Sequence, residues 1–119
     1  FRRVLFRSGF LRTDLTDYSA LLALFDQCKT TFGTYPDLVF ANAGIGECGE
    51  LFAGVSDAEI RVEPKHEVLD LDLKATANTI RLAWWGMKKE GIKGSIVVTA
   101  SLAGYAGAGI TMYVLPPLP

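Results

Sequence analysis

Cysteine, histidine and long apolar runs are all scarce in this chain of 119 residues, and each scarcity excludes something. The two cysteines, Cys28 and Cys48, form no Cys-x-x-Cys pair, and His66 is the only histidine. No zinc-type ligand set and no disulfide framework can be written from them. Both read as small apolar fillers in a reduced, cytoplasmic compartment. The apolar runs are a few residues long, whereas a membrane span needs about 20. Excess charge is also lacking: 12 Lys and Arg stand against 13 Asp and Glu, a formal net charge of -1. That balance gives no electrostatic reason for nucleic acid or an anionic membrane as partner. With 50% hydrophobic and 21% charged residues, general disorder is excluded as well. A single globular unit is expected at this length.

Both ends differ from the middle. The octamer Phe1-Arg-Arg-Val-Leu-Phe-Arg-Ser8 holds three of the basic residues and has no secretory pattern. Its codons can be written as a common sequencing-adaptor oligonucleotide read in frame, so residues 1–8 are expected to be foreign. Without them the net charge is -4. At the other end Val114-Leu-Pro-Pro-Leu-Pro119 cannot continue a helix. Residues 114–119 are expected to be a frayed tail, or, less favoured, a proline-rich ligand for an aromatic groove.

Strand and helix signals alternate between these ends. Gly9-Phe-Leu-Arg-Thr13 suits a short strand, and Asp14-Leu-Thr-Asp17 supplies capping residues. Leu21, Phe25, Cys28 and Phe32 recur at helical spacing before Gly33, a helix-closing glycine. Asp37-Leu-Val-Phe-Ala41 reads as a strand buried on both faces. After an irregular stretch, Pro64 is expected to open a long helix. Its apolar stripe is Leu69, Leu73, Ala77, Ile80, Trp84 and Met87, with Lys88, Lys89 and Lys93 toward its C-terminal end. Gly91 and Gly94 release the chain into a third strand, Ser95-Ile-Val-Val-Thr99. This order predicts an α/β fold with a parallel sheet and right-handed crossovers.

In such sheets ligands bind at the C-terminal strand ends. Those ends carry Asp14, then Asn42-Ala43-Gly44, then Ser101: a carboxylate, a carboxamide turn and a hydroxyl. Taken singly, each has an ordinary reading as a cap, a turn former or a loop residue. His66, Cys48 and the pair Trp84 and Trp85 keep such ordinary readings.

The order and spacing of the three strand ends resemble the short-chain dehydrogenase/reductase family, from Gly9 to Tyr113. Thr13-Asp14-Leu-Thr-Asp17 is similar to the family's adenine-side segment. Phe40-Ala-Asn-Ala-Gly44 resembles its Asn-Asn-Ala-Gly motif, with Ala41 for the first Asn. Gly94-Ser-Ile-Val-Val-Thr-Ala-Ser101 resembles the strand leading to the catalytic serine, and Tyr113 falls near the place of the catalytic tyrosine. The resemblance implies a partial Rossmann-like, doubly wound sheet over residues 9–113, an internal fragment lacking the first βαβ unit and the C-terminal part. It also implies NAD or NADP as cofactor and hydride exchange with a small-molecule alcohol or carbonyl substrate. Ser101 and Tyr113 would be catalytic, and Asp14, Asn42, Ala43 and Gly44 would lie beside the cofactor. The long helix resembles one used in homo-oligomer contacts by many members.

Four departures qualify that implication. No glycine-rich phosphate loop precedes Gly9. Pro117 stands where the family's lysine, four positions past the tyrosine, lowers the tyrosine pKa. Tyr113 follows Ser101 by twelve positions rather than thirteen. Asp72 occupies the place of a structural, proton-relay asparagine, and an ionised aspartate only accepts hydrogen bonds. The fragment itself is expected to be inactive and to bind cofactor weakly or not at all. The competing expectation is a non-catalytic α/β binding module with a degenerate site.

Overall fold

A computed structural model describes residues 8–46 and 55–102 of the chain. In these residues two helices, α1 (Tyr18–Phe32) and α2 (Thr76–Glu90), alternate with two strands, β1 (Leu38–Ala41) and β2 (Ser95–Val98). A 3-10 turn, Glu59–Arg61, and a π-helical segment, Leu69–Ala75, lie between β1 and α2. The strands pair in parallel with Leu38 opposite Ser95 and Ala41 opposite Val98.

Local chemistry fixes α1 at both ends. The Asp17 carboxylate accepts from the Ser19 and Ala20 backbone N–H groups, and Asp17 itself is extended. Gly33 ends the helix at φ 84°, a left-handed conformation that side chains disfavour. Leu21 and Phe25 of α1, Leu82 and Ala83 of α2, and Tyr35 between them form the core cluster. Val39 and Ile96, opposite each other across the ladder, pack against it. Both helices therefore cover one face of the sheet. Cys28 fits its expected role as filler: partial burial holds its thiol above the usual range, away from the reactive thiolate.

Two close approaches require glycine. A Cβ on Gly94 would collide with the Asp37 carbonyl oxygen, and one on Gly86 would lie 2.9 Å from the Tyr35 ring. Gly86 thus lets Tyr35 lie against α2, where its ring meets Trp85 edge-on at 5.4 Å. The Tyr35 hydroxyl donates to Asp26 Oδ1, and Lys29 pairs with Glu90 across the two helices.

Four expectations from the sequence need correction. Residues 9–13 pair with no strand among the described residues, and Phe10 is 93% exposed. A strand exists through its ladder, and this segment has none. The long helix starts at Glu67, three residues after Pro64, and passes through the π segment before becoming α-helical. Among the described residues the helices cover one face of the strands, and Leu38, Phe40 and Val97 are exposed. Finally, Leu69, Leu73, Ala77, Ile80 and Trp84 form the outer face of the long helix; of the expected stripe only Met87 is buried. Ala75, Leu82, Ala83 and Gly86 make the inner face instead. Small residues let the helix approach the sheet closely, and side-chain size here outweighs periodicity.

Candidate functional site

The two strands are in register, so they end side by side and their C-terminal extensions meet. Thr99 donates its backbone N–H to the Ala41 carbonyl at 3.1 Å, extending the ladder by one rung. Its hydroxyl donates to Asn42 Oδ1 at 2.6 Å. Asn42, Ala43 and Gly44 are exposed at this edge, and Ser101 lies two residues beyond Thr99, also exposed. The structure therefore brings Asn42, Ala43 and Gly44 together with the segment that carries Ser101.

A third element reaches the same loop. Asp72, in the π segment, accepts from the Ile45 backbone N–H at 2.9 Å through Oδ1. A Cβ on Gly44 would stand 3.4 Å from the same oxygen, an ordinary van der Waals contact. The wider turns of a π segment recur at functional positions, and this one carries the carboxylate that touches the loop.

Asp14 stands at the entry to α1. Its Oδ1 accepts from the Thr16 hydroxyl at 2.7 Å and the Thr16 N–H at 2.9 Å. Chiefly the Thr16 hydroxyl, and after it the Thr16 N–H, holds this exposed carboxyl below the usual carboxylate range. Its neighbour Leu15 shares with Asn42 and Ala43 the lining of a groove of about 370 Å³ along the open edge of β1. Leu24, Phe25 and Leu38 make the groove mostly apolar, with Asn42, Thr76 and Thr79 as the polar side chains in its lining.

Tyr113 and Cys48 lie outside the described residues. Thr99 was missed by sequence reasoning, although parallel register alone would have set it opposite Asn42. Asp72 was noticed only as a departure, and its contact with Ile45 depends on the irregular helix. Small residues at 43 and 44 and an exposed carboxamide at 42 leave the backbone at this edge open to the close approach of a flat ligand.

The sequence profile described as short chain dehydrogenase matches residues 5–114. The fungal "Short-chain dehydrogenase/reductase ATR7" of Stachybotrys chlorohalonatus is 37% identical over 97 residues, covering 80% of this chain and 29% of that protein. The "2,5-dichloro-2,5-cyclohexadiene-1,4-diol dehydrogenase" of Sphingobium indicum is 32% identical over 101 residues, covering 85% and 38%. The chain thus spans about a third of the length of these relatives. Among solved structures, a short-chain dehydrogenase from Leptospira borgpetersenii with bound NAD+ superposes with a TM-score of 0.65 at 23% identity, covering 82% of this chain and 36% of that one. A short-chain type dehydrogenase/reductase from Mycobacterium marinum gives 0.65 at 24%, covering 81% and 35%. These likenesses establish the fold as a partial Rossmann-like α/β arrangement. The profile match over residues 5–114 makes the chain a member of the short-chain dehydrogenase family.

Proposed function

We propose that the chain is part of an NAD- or NADP-dependent oxidoreductase that interconverts an alcohol and a carbonyl compound. The observation that carries this reading is the shared edge: the 42–46 loop and the approach to Ser101 are joined by the Thr99–Asn42 hydrogen bond. In this reading Asn42, Ala43 and Gly44 lie beside the nicotinamide, and Asp14 lies on the adenine side. A bound nicotinamide supplies the hydride donor or acceptor. Ser101 donates its hydroxyl hydrogen to the substrate oxygen and holds it, while the Tyr113 hydroxyl exchanges the proton with that oxygen. Pro117 stands four positions past Tyr113, so the position that carries a lysine in the family offers no cation to ease the tyrosine's deprotonation. Low activity in the chain as it stands is the consequence, and the same residue favours the second reading, a binding module with a degenerate site. In either case residues 9–113 are assigned to the cofactor-side unit, and residues 1–8 and 114–119 are left out of it.

Oligomer formation belongs to the proposal for the whole protein. Leu73, Ile80 and Trp84 on the outer face of the long helix are 66%, 36% and 56% exposed, apolar surface that a second copy could cover. A cytoplasmic location is consistent with the chain's composition, and no helix among the described residues is long and apolar enough to cross a membrane.

Amide and side-chain NMR of the 119-residue chain during titration with NAD+ and NADP+ tests the cofactor assignment. The expected result is binding weaker than micromolar, with shift changes at Asp14, Asn42, Ala43 and Gly44. Submicromolar binding would overturn the reading of the chain as a weakly binding fragment, and a response confined to other residues would overturn the cofactor assignment.

A further inference from the structure

We infer that the C-terminal end of α2 is an interaction surface for an acidic segment of a partner protein. It lies at the opposite end of the strands from Asn42, because α2 leads through residues 91–94 into the start of β2, beside the start of β1. The inference is independent of the oxidoreductase reading.

Positive charge at this end is incompletely matched. Lys29 pairs with Glu90, and Asp26 accepts the Tyr35 hydroxyl. Lys88 and Lys89 are exposed and enter no ion pair among the described residues. Each lies instead on a tryptophan four positions earlier, one helical turn away. The Lys88 ammonium stands 4.9 Å from the centre of the Trp84 ring. That of Lys89 stands 4.7 Å from the Trp85 ring and 6.0 Å from the Tyr35 ring. A ring face attracts a cation through its quadrupole but carries no net charge, so both positive charges remain uncompensated. The same contact narrows the conformations open to each lysine, which lowers the ordering cost when an anion binds.

The rings add an apolar element to the charge. Trp84 and Trp85 are 56% and 39% exposed, and tryptophan is among the residues that most often carry binding energy at protein interfaces. Two neighbouring cations set on two indole rings match two carboxylates with an apolar side chain between them. An acidic peptide segment offers that pattern. Nucleic acid and anionic membrane call for a broader basic field, which a chain of net charge -1 does not supply.

The test uses the 119-residue chain and a blocked peptide of alternating glutamate and leucine, with a control peptide carrying glutamine for glutamate. Indole N–H resonances and tryptophan fluorescence read the binding. The acidic peptide should shift both indole signals at millimolar concentration or below, and the control should not. Lys88→Gln combined with Lys89→Gln should weaken binding about tenfold, since each exposed ion pair is worth little alone. Lys88→Arg with Lys89→Arg should retain it, and Lys74→Gln, in the π segment at the other end of the long helix, should leave it unchanged. Added sodium chloride should weaken it, because exposed charges are screened. Equal binding of the control peptide would reduce the surface to an apolar patch and overturn the inference. No indole response at millimolar acidic peptide, or tighter binding of duplex DNA or phosphatidylserine vesicles, would overturn it as well. Sedimentation showing a dimer that the Lys88→Gln and Lys89→Gln pair breaks would assign the surface to a second copy, and the acidic partner would be wrong.

Discussion

The two connections of this chain, α1 leading into β1 and the crossover from β1 through α2 to β2, reach the same sheet by opposite means. The first, through α1, is regular: an aspartate cap, a buried stripe and a left-handed glycine succeed one another between Asp17 and Gly33. The second runs from the 42–46 loop through a 3-10 turn and a π segment before α2 begins, with no side-chain cap at α2. Regularity is lost where the second crossover touches the loop that ends β1. Asp72 reaches Ile45 from inside the π segment, and the loop is held there. The contrast separates a connection that builds the core from one that also shapes a site.

Core substitutions should divide the two connections most sharply. Leu21 of α1 is fully buried among Phe25, Tyr35, Leu82 and Ala83, so Leu21→Ala should cost about 2–5 kcal/mol through lost transfer energy and a residual cavity. Leu73 in the π segment is 66% exposed, and Leu73→Ala should stay within about 0.5 kcal/mol. Urea denaturation monitored by tryptophan fluorescence measures both. Equal losses would mean that the π segment carries as much packing as α1, and the contrast between the connections would fail.

Legibility in the sequence divides along the same line. The α/β order, both strand cores and both ends of α1 could be read from residues, because Asp17, Gly33, Gly91 and the short apolar runs act locally. The inner face of the long helix could not. Periodicity chose Leu73, Ile80 and Trp84, whereas Ala75, Ala83 and Gly86 are the buried positions, Gly86 against the Tyr35 ring, and only tertiary fit reveals that small residues were needed. The π segment was equally hidden, since no residue type marks it. At the candidate site, Asn42, Ala43, Gly44 and Ser101 were found from their place at strand ends. Thr99 was not, because a threonine closing a strand looks like any other strand residue until the register sets it opposite Asn42.

Capping gives a smaller effect that bears on the same contrast. Asp17→Ala leaves the Ser19 and Ala20 N–H groups without their carboxylate and should cost about 1 kcal/mol. The loss should appear first as faster hydrogen exchange at those two amides. The amides of Thr76 and Ala77 at the start of α2 should not respond, because that helix continues from a preceding helical segment rather than from a side-chain cap. Faster exchange at both helix starts would show that the two connections unfold as one unit.

The smallest expected effect lies in the ionisation of two exposed carboxylates, one at each connection, held by the same kind of partner. At the first, Asp14 accepts from the hydroxyl and N–H of Thr16; at the second, Glu59 accepts from the hydroxyl and N–H of Ser56. In both the hydroxyl is the larger cause of a pKa held below the ordinary carboxylate value. A carboxyl whose folded pKa is depressed contributes stability that is present above the unfolded pKa and is lost as pH falls through the folded one. The loss therefore falls in acid, below the ordinary carboxylate range, and both groups remain charged at neutral pH. Thr16→Val and Ser56→Ala each leave the N–H and remove the hydroxyl, so the titration midpoint of the partner should move upward without reaching the free value. Carboxyl-carbon NMR against pH reads each midpoint directly. An unmoved Asp14 midpoint in Thr16→Val would show that the backbone turn alone holds that carboxylate, and that the first connection needs its threonine for something else.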